Sequence, residues 1–311
     1  LKPANAEAKK LIETFADEVV YNDLGRPLKG DEILKRLAGM DGYIAGVDYI
    51  EADVVEKMPE SIKVISRYGA GVDRVDIPAC TKRGILVCNT PGANAVAVCE
   101  LAFGLMLCTA RNIPHLHIAV EKGEWPRSEG VELFGKTLGI IGMGAIGKNL
   151  ARRAAAFGMK VLAYDPYFDE DFAKEHGIWK ATLKEALAVS DFISLHVPLN
   201  DSTYHMIDSG RIAKMKEGAV IINTARGGLI DERAAAEAIG SGKLGGIGLD
   251  AFEQEPLEKS PLKGLERVVL TPHTGAHTKE AVQTMGRMAV ENCISVLKGE
   301  TCKYVLNKQK G

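Results

Sequence analysis

KTLGIIGMGAIGKNLARRAAAFG, Lys136 to Gly158, decides the fold. Its opening, KTLGIIG, is a short and continuously apolar run of the kind that forms a strand buried on both faces. MGAIGKNLARRAAAFG then opens and carries a helix that ends at Gly158. At the junction Gly142-Met143-Gly144-Ala145-Ile146-Gly147 reads GxGxxG. Alone the pattern is weak, because glycine-rich turns are common. Between an apolar strand and a helix it is a dinucleotide-binding turn. Gly142 permits the tight turn, Gly144 lets the backbone approach a pyrophosphate, and Gly147 lets the helix pack on the sheet. The exposed N–H groups at the helix start hold the diphosphate.

Toward the C-terminus the alternation continues. MKVLAYDP, DFISLHVP, GAVIINTA, GGIGLDAF and RVVLTPH read as strands, and TLKEALAVS, SGRIAKMK and DERAAAEAIGSGK as helices. Buried strands with helical crossovers make an α/β fold with a doubly wound parallel sheet. A last helix is expected over roughly 278–298, with Val282, Met285, Met288, Ala289 and Cys293 on one stripe. The strand after the glycine turn ends at Asp165, 18 residues past Gly147 and near the ~20 expected of a ribose-binding acid. A carboxylate there accepts from ribose hydroxyls and repels a 2′-phosphate, which favours NAD over NADP.

Three further loops follow strand ends, where ligands of such sheets sit. Asn223 to Gly228 carries Arg226, whose planar fork suits a carboxylate and can polarise a carbonyl. Leu249 to Pro256 carries three carboxylates, Asp250, Glu253 and Glu255. Thr271 to His277 carries His273, well placed for a general acid/base. Singly these are an ion-pair residue, a solvated acid and a helix cap. Jointly, beside a dinucleotide site, they form an acid/base pair with a carboxylate clamp.

Toward the N-terminus, GYIAGV, IKVISRYG and GILVCN read as strands, and EILKRL and the segment from Ile77 to Arg83 as helices, again a parallel sheet covered by helices. AEAKKLIETFADEV near the start is an amphipathic helix with Leu11, Ile12, Phe15 and Val19 at helical spacing. A βα unit opens on a strand, so a first strand is expected to be missing here. The run from Ala95 to Ala110 is the most apolar, is interrupted by Glu100, and falls short of the roughly 20 residues a membrane span needs. It reads as a buried helix. No basic segment leads into an apolar run at the start, so no signal peptide is expected.

The 311 residues suffice for two domains, and 46% hydrophobic with 26% charged residues is an ordinary globular composition. A net charge of -2 gives no sign of a nucleic-acid or membrane partner. Six cysteines without a CxxC pair read as reduced thiols of a cytoplasmic protein. His115 and His117 resemble a metal pair without a third ligand, so no metal is expected.

The chain resembles the D-isomer-specific 2-hydroxyacid dehydrogenases, and within them the phosphoglycerate dehydrogenase-like group. The likeness rests on RYGAGVDRVD (Arg67 to Asp76), NTPGANAVAVCE (Asn89 to Glu100), ELFGKTLGIIGMGAIG (Glu132 to Gly147), AYDP and HVPL (His196 to Leu199). It continues through NTARGGLIDE (Asn223 to Glu232), GLDAFEQEP (Gly248 to Pro256) and LTPHTGAHT (Leu270 to Thr278), and runs from about residue 40 to the end.

The resemblance implies hydride transfer between NAD(H) and C2 of a small 2-hydroxy or 2-keto acid, with 3-phosphoglycerate among the candidates. Arg226 would bind the substrate, His273 would act as acid/base, and Glu255 would hydrogen-bond His273 and stabilise its imidazolium. Arg67, Gly69, Ala70 and Gly71 would contact substrate. Gly142, Gly144, Ala145, Ile146, Gly147, Asp165, Val197, Thr224, Ala225, Asp250, Gly275 and Ala276 would contact the dinucleotide. The family fold implies two Rossmann-like domains, a discontinuous substrate domain (1–92 plus 276–311) and an NAD domain (93–275), with the active site in a cleft whose closure excludes water. It also implies a homodimer joined through the nucleotide domain and an arm over about 101–133, from which Trp125 and Arg127 reach toward the partner.

Two departures stand out. Where phosphoglycerate dehydrogenases often carry an Arg-Ser pair, this chain reads Ala45-Gly46-Val47, leaving Arg67, Arg74 or Arg127 to compensate for one phosphate ligand. His277 stands where the family often has a small residue. The alternative reading is a non-catalytic, NAD-sensing interaction protein like the corepressors of this fold. A formate or phosphite oxidase is disfavoured by Glu255, because formate dehydrogenases of this fold carry Gln there.

Overall fold

A computed structural model describes residues 5–307, which form two compact units, one running to Asn94 and resuming at His277, the other spanning Ala95–Ala276. In chain order the first unit holds α1 (Ala6–Phe15), α2 (Asp31–Leu37), β1 (Gly42–Ala45), α3 (Ala52–Lys57), β2 (Val64–Arg67), α4 (Ile77–Lys82) and β3 (Leu86–Cys88). The second holds α5 (Ala95–Ala110), α6 (Ile113–Glu121), β4 (Thr137–Ile141), α7 (Ala145–Ala156), β5 (Lys160–Tyr164), α8 (Glu170–His176), β6 (Trp179–Lys180) and α9 (Leu183–Val189). It continues with β7 (Phe192–Leu195), α10 (Ser209–Ile212), β8 (Ala219–Asn223), α11 (Glu232–Gly240), β9 (Leu244–Leu249) and β10 (Val268–Leu270). The chain then returns to the first unit with α12 (Lys279–Leu297).

In the second unit seven parallel strands run in the order β10-β9-β8-β7-β4-β5-β6. The chain starts at β4, winds out through β5 and β6, then crosses back to β7 and winds the other way. The strand order therefore reverses between β4 and β7, the place where doubly wound sheets bind ligands. The inner strands β4, β7, β8 and β9 are buried on both faces because helices cover both. Phe192, Val220 and Ile222 meet α5 and α7 on one side, and Ile193, Leu195 and Ile221 meet α9 to α11 on the other. Ten residues of α5 are buried. Among the described residues no single helix is long and apolar enough to cross a membrane, and the apolar α5–α6 pair bends by 64° at its break.

The first unit has three parallel strands in the order β1-β2-β3. Ala45, Ile65 and Val87 face a core shared with α2 to α4, while Val64 and Cys88 face Cys293 of α12 and Cys302. Caps set several helix starts. Asp76 accepts from Ala79 N at α4, Thr278 from Ala281 N at α12, and Thr182 with Glu185 forms a full capping box at α9.

The structure shortens two expected helices. α1 ends at Phe15, since Ala16 is extended, and Val19 packs from outside the helix; only Ala8 and Ile12 are buried, a narrow stripe set by the contact with α12. α10 stops at Ile212, after which Lys214 N donates to Arg211 O and Met215 N to Ile212 O. Those tighter turns bring Met215 into the core. Helices α3, α6 and α8 and the two-residue strand β6 were outside the sequence reading.

Candidate active site

The glycine turn after β4 has the local geometry that its three glycines predict. Gly142 lies at φ +104, and a Cβ there would sit 2.5 Å from His196 O. A Cβ on Gly147 would sit 2.1 Å from Gly142 O, so α7 can approach the strand only because this residue is glycine. Gly144 has nothing within 4 Å of its Cβ position, which leaves the outer side of the turn open to a close-lying ligand. Gly144 caps α7 without any side-chain bond to the first-turn N–H groups, and Ala145 and the half-buried Ile146 follow it at the helix start. This is the arrangement a diphosphate needs.

Asp165, at the end of β5, is held by two backbone groups. Its Oδ2 accepts from Met143 N at 2.6 Å and its Oδ1 from Tyr167 N at 2.7 Å. The acid is thereby tied to the middle of the glycine turn. Val197 lies against the same turn, 3.0 Å from the Gly142 Cβ position. Two buried polar atoms here have no protein partner, Thr224 Oγ1 and His196 Nδ1. The register Leu195↔Asn223 makes His196 and Thr224 the next pair beyond β7 and β8. His196 was not picked out as a site residue from sequence, where only its HVPL motif was noted. It is half-buried as a residue but its ring is enclosed, its Nε2 lies 2.8 Å from Ser194 Oγ, and burial pulls its pKa down to about 4. The glycine cradle, a placed acid and an orphaned hydroxyl fit a dinucleotide.

The loops after β8, β9 and β10 are neighbours because those strands are neighbours. His273 Nδ1 lies 2.8 Å from Glu255 Oε1 and 2.9 Å from Oε2. An ionised carboxylate only accepts, so Nδ1 carries the proton and Nε2 is the nitrogen left to exchange one. His273 sits at φ 50, a left-handed conformation unusual for a non-glycine residue. Asp250 holds that loop in shape. It is buried, and its carboxylate accepts from Thr271 Oγ1 at 2.6 Å, Thr274 N at 2.8 Å and Gly275 N at 2.8 Å. Arg226 precedes a turn of 3-10 helix, Gly227–Leu229, and its Nη1 donates to Ala225 O at 2.7 Å. Ala225 N in turn donates to Asn223 Oδ1.

In the first unit Arg67 ends β2, and Gly69 follows at φ +137. Gly69 N donates to Thr90 Oγ1 at 3.0 Å and Asn89 Nδ2 to Ala70 O at 2.8 Å, so the turn through Gly71 is fixed from the segment after β3. Beside the loop after β1, Arg74 Nη1 donates to Val47 O at 2.9 Å. His277 directly precedes Thr278, the N-cap of α12. His115 and His117 are exposed on α6, and no group of three His, Cys, Asp or Glu among the described residues could hold a metal. All six cysteines are free thiols.

Sequence reasoning also missed a set of contacts among Glu232, Glu253, His205 and Ser260. The two glutamates exchange backbone hydrogen bonds, Glu253 N to Glu232 Oε1 at 2.9 Å and Glu232 N to Glu253 Oε1 at 3.1 Å. No local pattern marks this pair, since 21 residues separate its members.

Residues 103–275 match the family profile described as D-isomer specific 2-hydroxyacid dehydrogenase, NAD binding domain. The chain is 42% identical over 309 residues to the D-3-phosphoglycerate dehydrogenase of Methanocaldococcus jannaschii, covering 98% of this chain but only 58% of that protein. It is 43% identical over 302 residues to the hydroxypyruvate reductase of Thermotoga maritima, covering 95% of this chain and 96% of the relative. Among solved structures, the Aquifex aeolicus D-lactate dehydrogenase complexed with NAD and lactic acid superposes with a TM-score of 0.87 at 30% identity, over 100% of this chain and 98% of that one. With the parallel sheets, the glycine turn and the strand-end acids in place, these matches show that the chain belongs to the NAD-dependent D-isomer specific 2-hydroxyacid dehydrogenase family.

Proposed function

We propose that the protein interconverts a small 2-hydroxy acid and its 2-keto acid using NAD(H), with His273 as the acid/base. The observation that carries this reading is the two-pronged Glu255–His273 contact at 2.8 and 2.9 Å. Bound NADH supplies the hydride that reduces C2. His273 gives the Nε2 proton to the C2 oxygen, and takes it back in the oxidation direction. Glu255 fixes the ring's tautomer and orientation through Nδ1. Arg226 binds the substrate carboxylate and polarises the carbonyl. Arg67 and the backbone of Gly69, Ala70 and Gly71 complete the substrate contacts in this reading. Gly142, Gly144, Ala145, Ile146, Gly147, Asp165, Val197, Thr224, Ala225, Asp250, Gly275 and Ala276 hold the dinucleotide.

The substrate is open between phosphorylated and plain acids. Ala45-Gly46-Val47 brings no cation to the loop after β1, and Arg74 and Arg67 are anchored beside it, through Val47 O and Ala45 O. Six free thiols support a reducing, cytoplasmic setting. The exposed apolar side chains of Ile113, Ile118, Val120 and Trp125 support a homodimer through the arm, to be checked by light scattering.

Mixing the protein with NADH and, in turn, glyoxylate, pyruvate, hydroxypyruvate and phosphohydroxypyruvate, while following NADH absorbance, tests the reaction and ranks the substrates. We expect turnover with at least one of them. Tight NADH binding with no turnover of any would favour a dinucleotide-sensing protein instead.

A further inference from the structure

We propose that Glu232 and Glu253 are positioning residues that clasp the Arg226 turn to the Glu255 loop, holding the guanidinium and the acid that orients His273 in register. This rests on the roles given above to Arg226, Glu255 and His273.

The two loops already touch at their backbones. A Cβ on Gly227, the residue after Arg226, would lie 1.8 Å from Phe252 C and 2.3 Å from Glu253 N. Contact that close leaves no room for slippage, but van der Waals packing alone gives no direction to it. The glutamates supply direction. Each carboxylate accepts from the other's backbone N–H, at 2.9 and 3.1 Å, so the start of α11 and the segment after Phe252 are joined twice. Glu232 is buried, and its second oxygen accepts from Ser260 Oγ at 2.7 Å, which satisfies a carboxylate that would be costly to bury unpaired. His205 adds a third loop. Its Nε2 lies 3.0 Å from Glu253 Oε1, and its N donates to Gly228 O at 2.7 Å.

Both anchor points sit next to the chemistry. Glu253 is two residues before Glu255, whose Oε1 also accepts from Phe252 N at 3.2 Å. α11 follows the 3-10 turn that begins at Gly227. A displacement at Glu253 therefore reaches Glu255 through one intervening residue, and a displacement of α11 reaches Arg226 through a short turn. The clasp works through acceptors for main-chain N–H groups rather than through net charge. An amide side chain should replace it, and a methyl should not.

The test uses the 311-residue chain and its variants Glu253→Ala, Glu232→Ala and Glu253→Gln. Measured for each are kcat and KM with the best 2-keto acid, NADH affinity by fluorescence titration, and amide hydrogen exchange across residues 225–230 and 251–256. The alanine variants should lose about 10- to 100-fold in kcat, the scale expected when reacting groups are misplaced. NADH affinity should stay nearly unchanged, exchange should quicken in both loops, and Glu253→Gln should regain most of the lost kcat. Undiminished kcat in the alanine variants would overturn the proposal. So would faster exchange confined to 251–256, loss of NADH binding in step with kcat, or a Gln variant as damaged as the Ala variant. If the unaltered protein turns over no 2-keto acid, the reaction reading falls, and exchange in the two loops still decides whether the clasp exists.

Discussion

At the scale of single residues, His273 and Asp165 make opposite demands on their surroundings. In the proposed reaction His273 gives up and regains a proton, and it is exposed on the loop after β10 with Glu255 on its Nδ1. Replacing it with Ala should lower turnover by about 10²–10⁴-fold, as for a lost general acid, with NADH affinity kept. Steady-state rates beside a fluorescence titration check this, and unchanged turnover would move the acid role elsewhere, with His277 next in line. Asp165 must stay put. Asp165→Ser should admit NADPH and also weaken NADH binding, because the glycine turn loses the acceptor for Met143 N. An NADH:NADPH ratio that does not move would mean that another element sets the preference. His196 gives a stability prediction. Its folded pKa of about 4 lies below the unfolded value, so its neutral form stabilises the fold above about pH 6.5, and that share is lost as pH falls toward 4. Denaturant melts at several pH values should show a shallower acid loss in His196→Asn than in the parent. Strand ends mark Arg226, Glu255, His273 and Asp165 in the sequence as candidates, and the structure pairs His273 with Glu255 and ties Asp165 to Met143 N. The part played by Glu253 was not legible, since its partner Glu232 lies 21 residues away and no local pattern marks the pair.

At the scale of elements, β4, its glycine turn and α7 can be probed by two substitutions that differ only in what the new methyl meets. Gly147→Ala would push a Cβ to 2.1 Å from a backbone oxygen that cannot retreat. It should destabilise the protein by about 1–3 kcal/mol, as overpacking does, and lose dinucleotide affinity. Gly144→Ala meets nothing in the protein, so thermal unfolding should hardly change while NADH affinity drops. Equal melting losses in both would refute this division of labour. The inner strands of the large sheet, β4, β7, β8 and β9, were readable because both faces are buried and their runs are unbroken. α3, α8 and β6 were not readable. β6 is two residues long, and the buried residues of α3 (Val54, Val55) and α8 (Phe172, Ala173) are adjacent in sequence, without the i, i+4 spacing that Ile33 and Leu37 give to α2. α1 and α10 were read too long, because Val19 and Met215 pack against the core from beyond the helix ends.

At the scale of the whole molecule, the second unit is one uninterrupted stretch, Ala95–Ala276, whereas the first is assembled from both ends of the chain. Val64 and Cys88 of the small sheet are covered by Cys293, Val296 and Leu297 of α12 and by Tyr304 and Val305. Ser66 Oγ donates to Ala289 O, and Leu306 N to Val87 O. As the ribosome works from the N-terminus, the small sheet emerges first yet must wait for the segment beyond His277 before one of its faces is shielded. The nucleotide unit, made later, has everything it needs sooner. Nascent chains in which the sequence through Ala276, but not α12, has cleared the ribosome should therefore display a protease-resistant middle beside a vulnerable beginning, and a chaperone that recognises greasy β-surfaces should bind until α12 arrives.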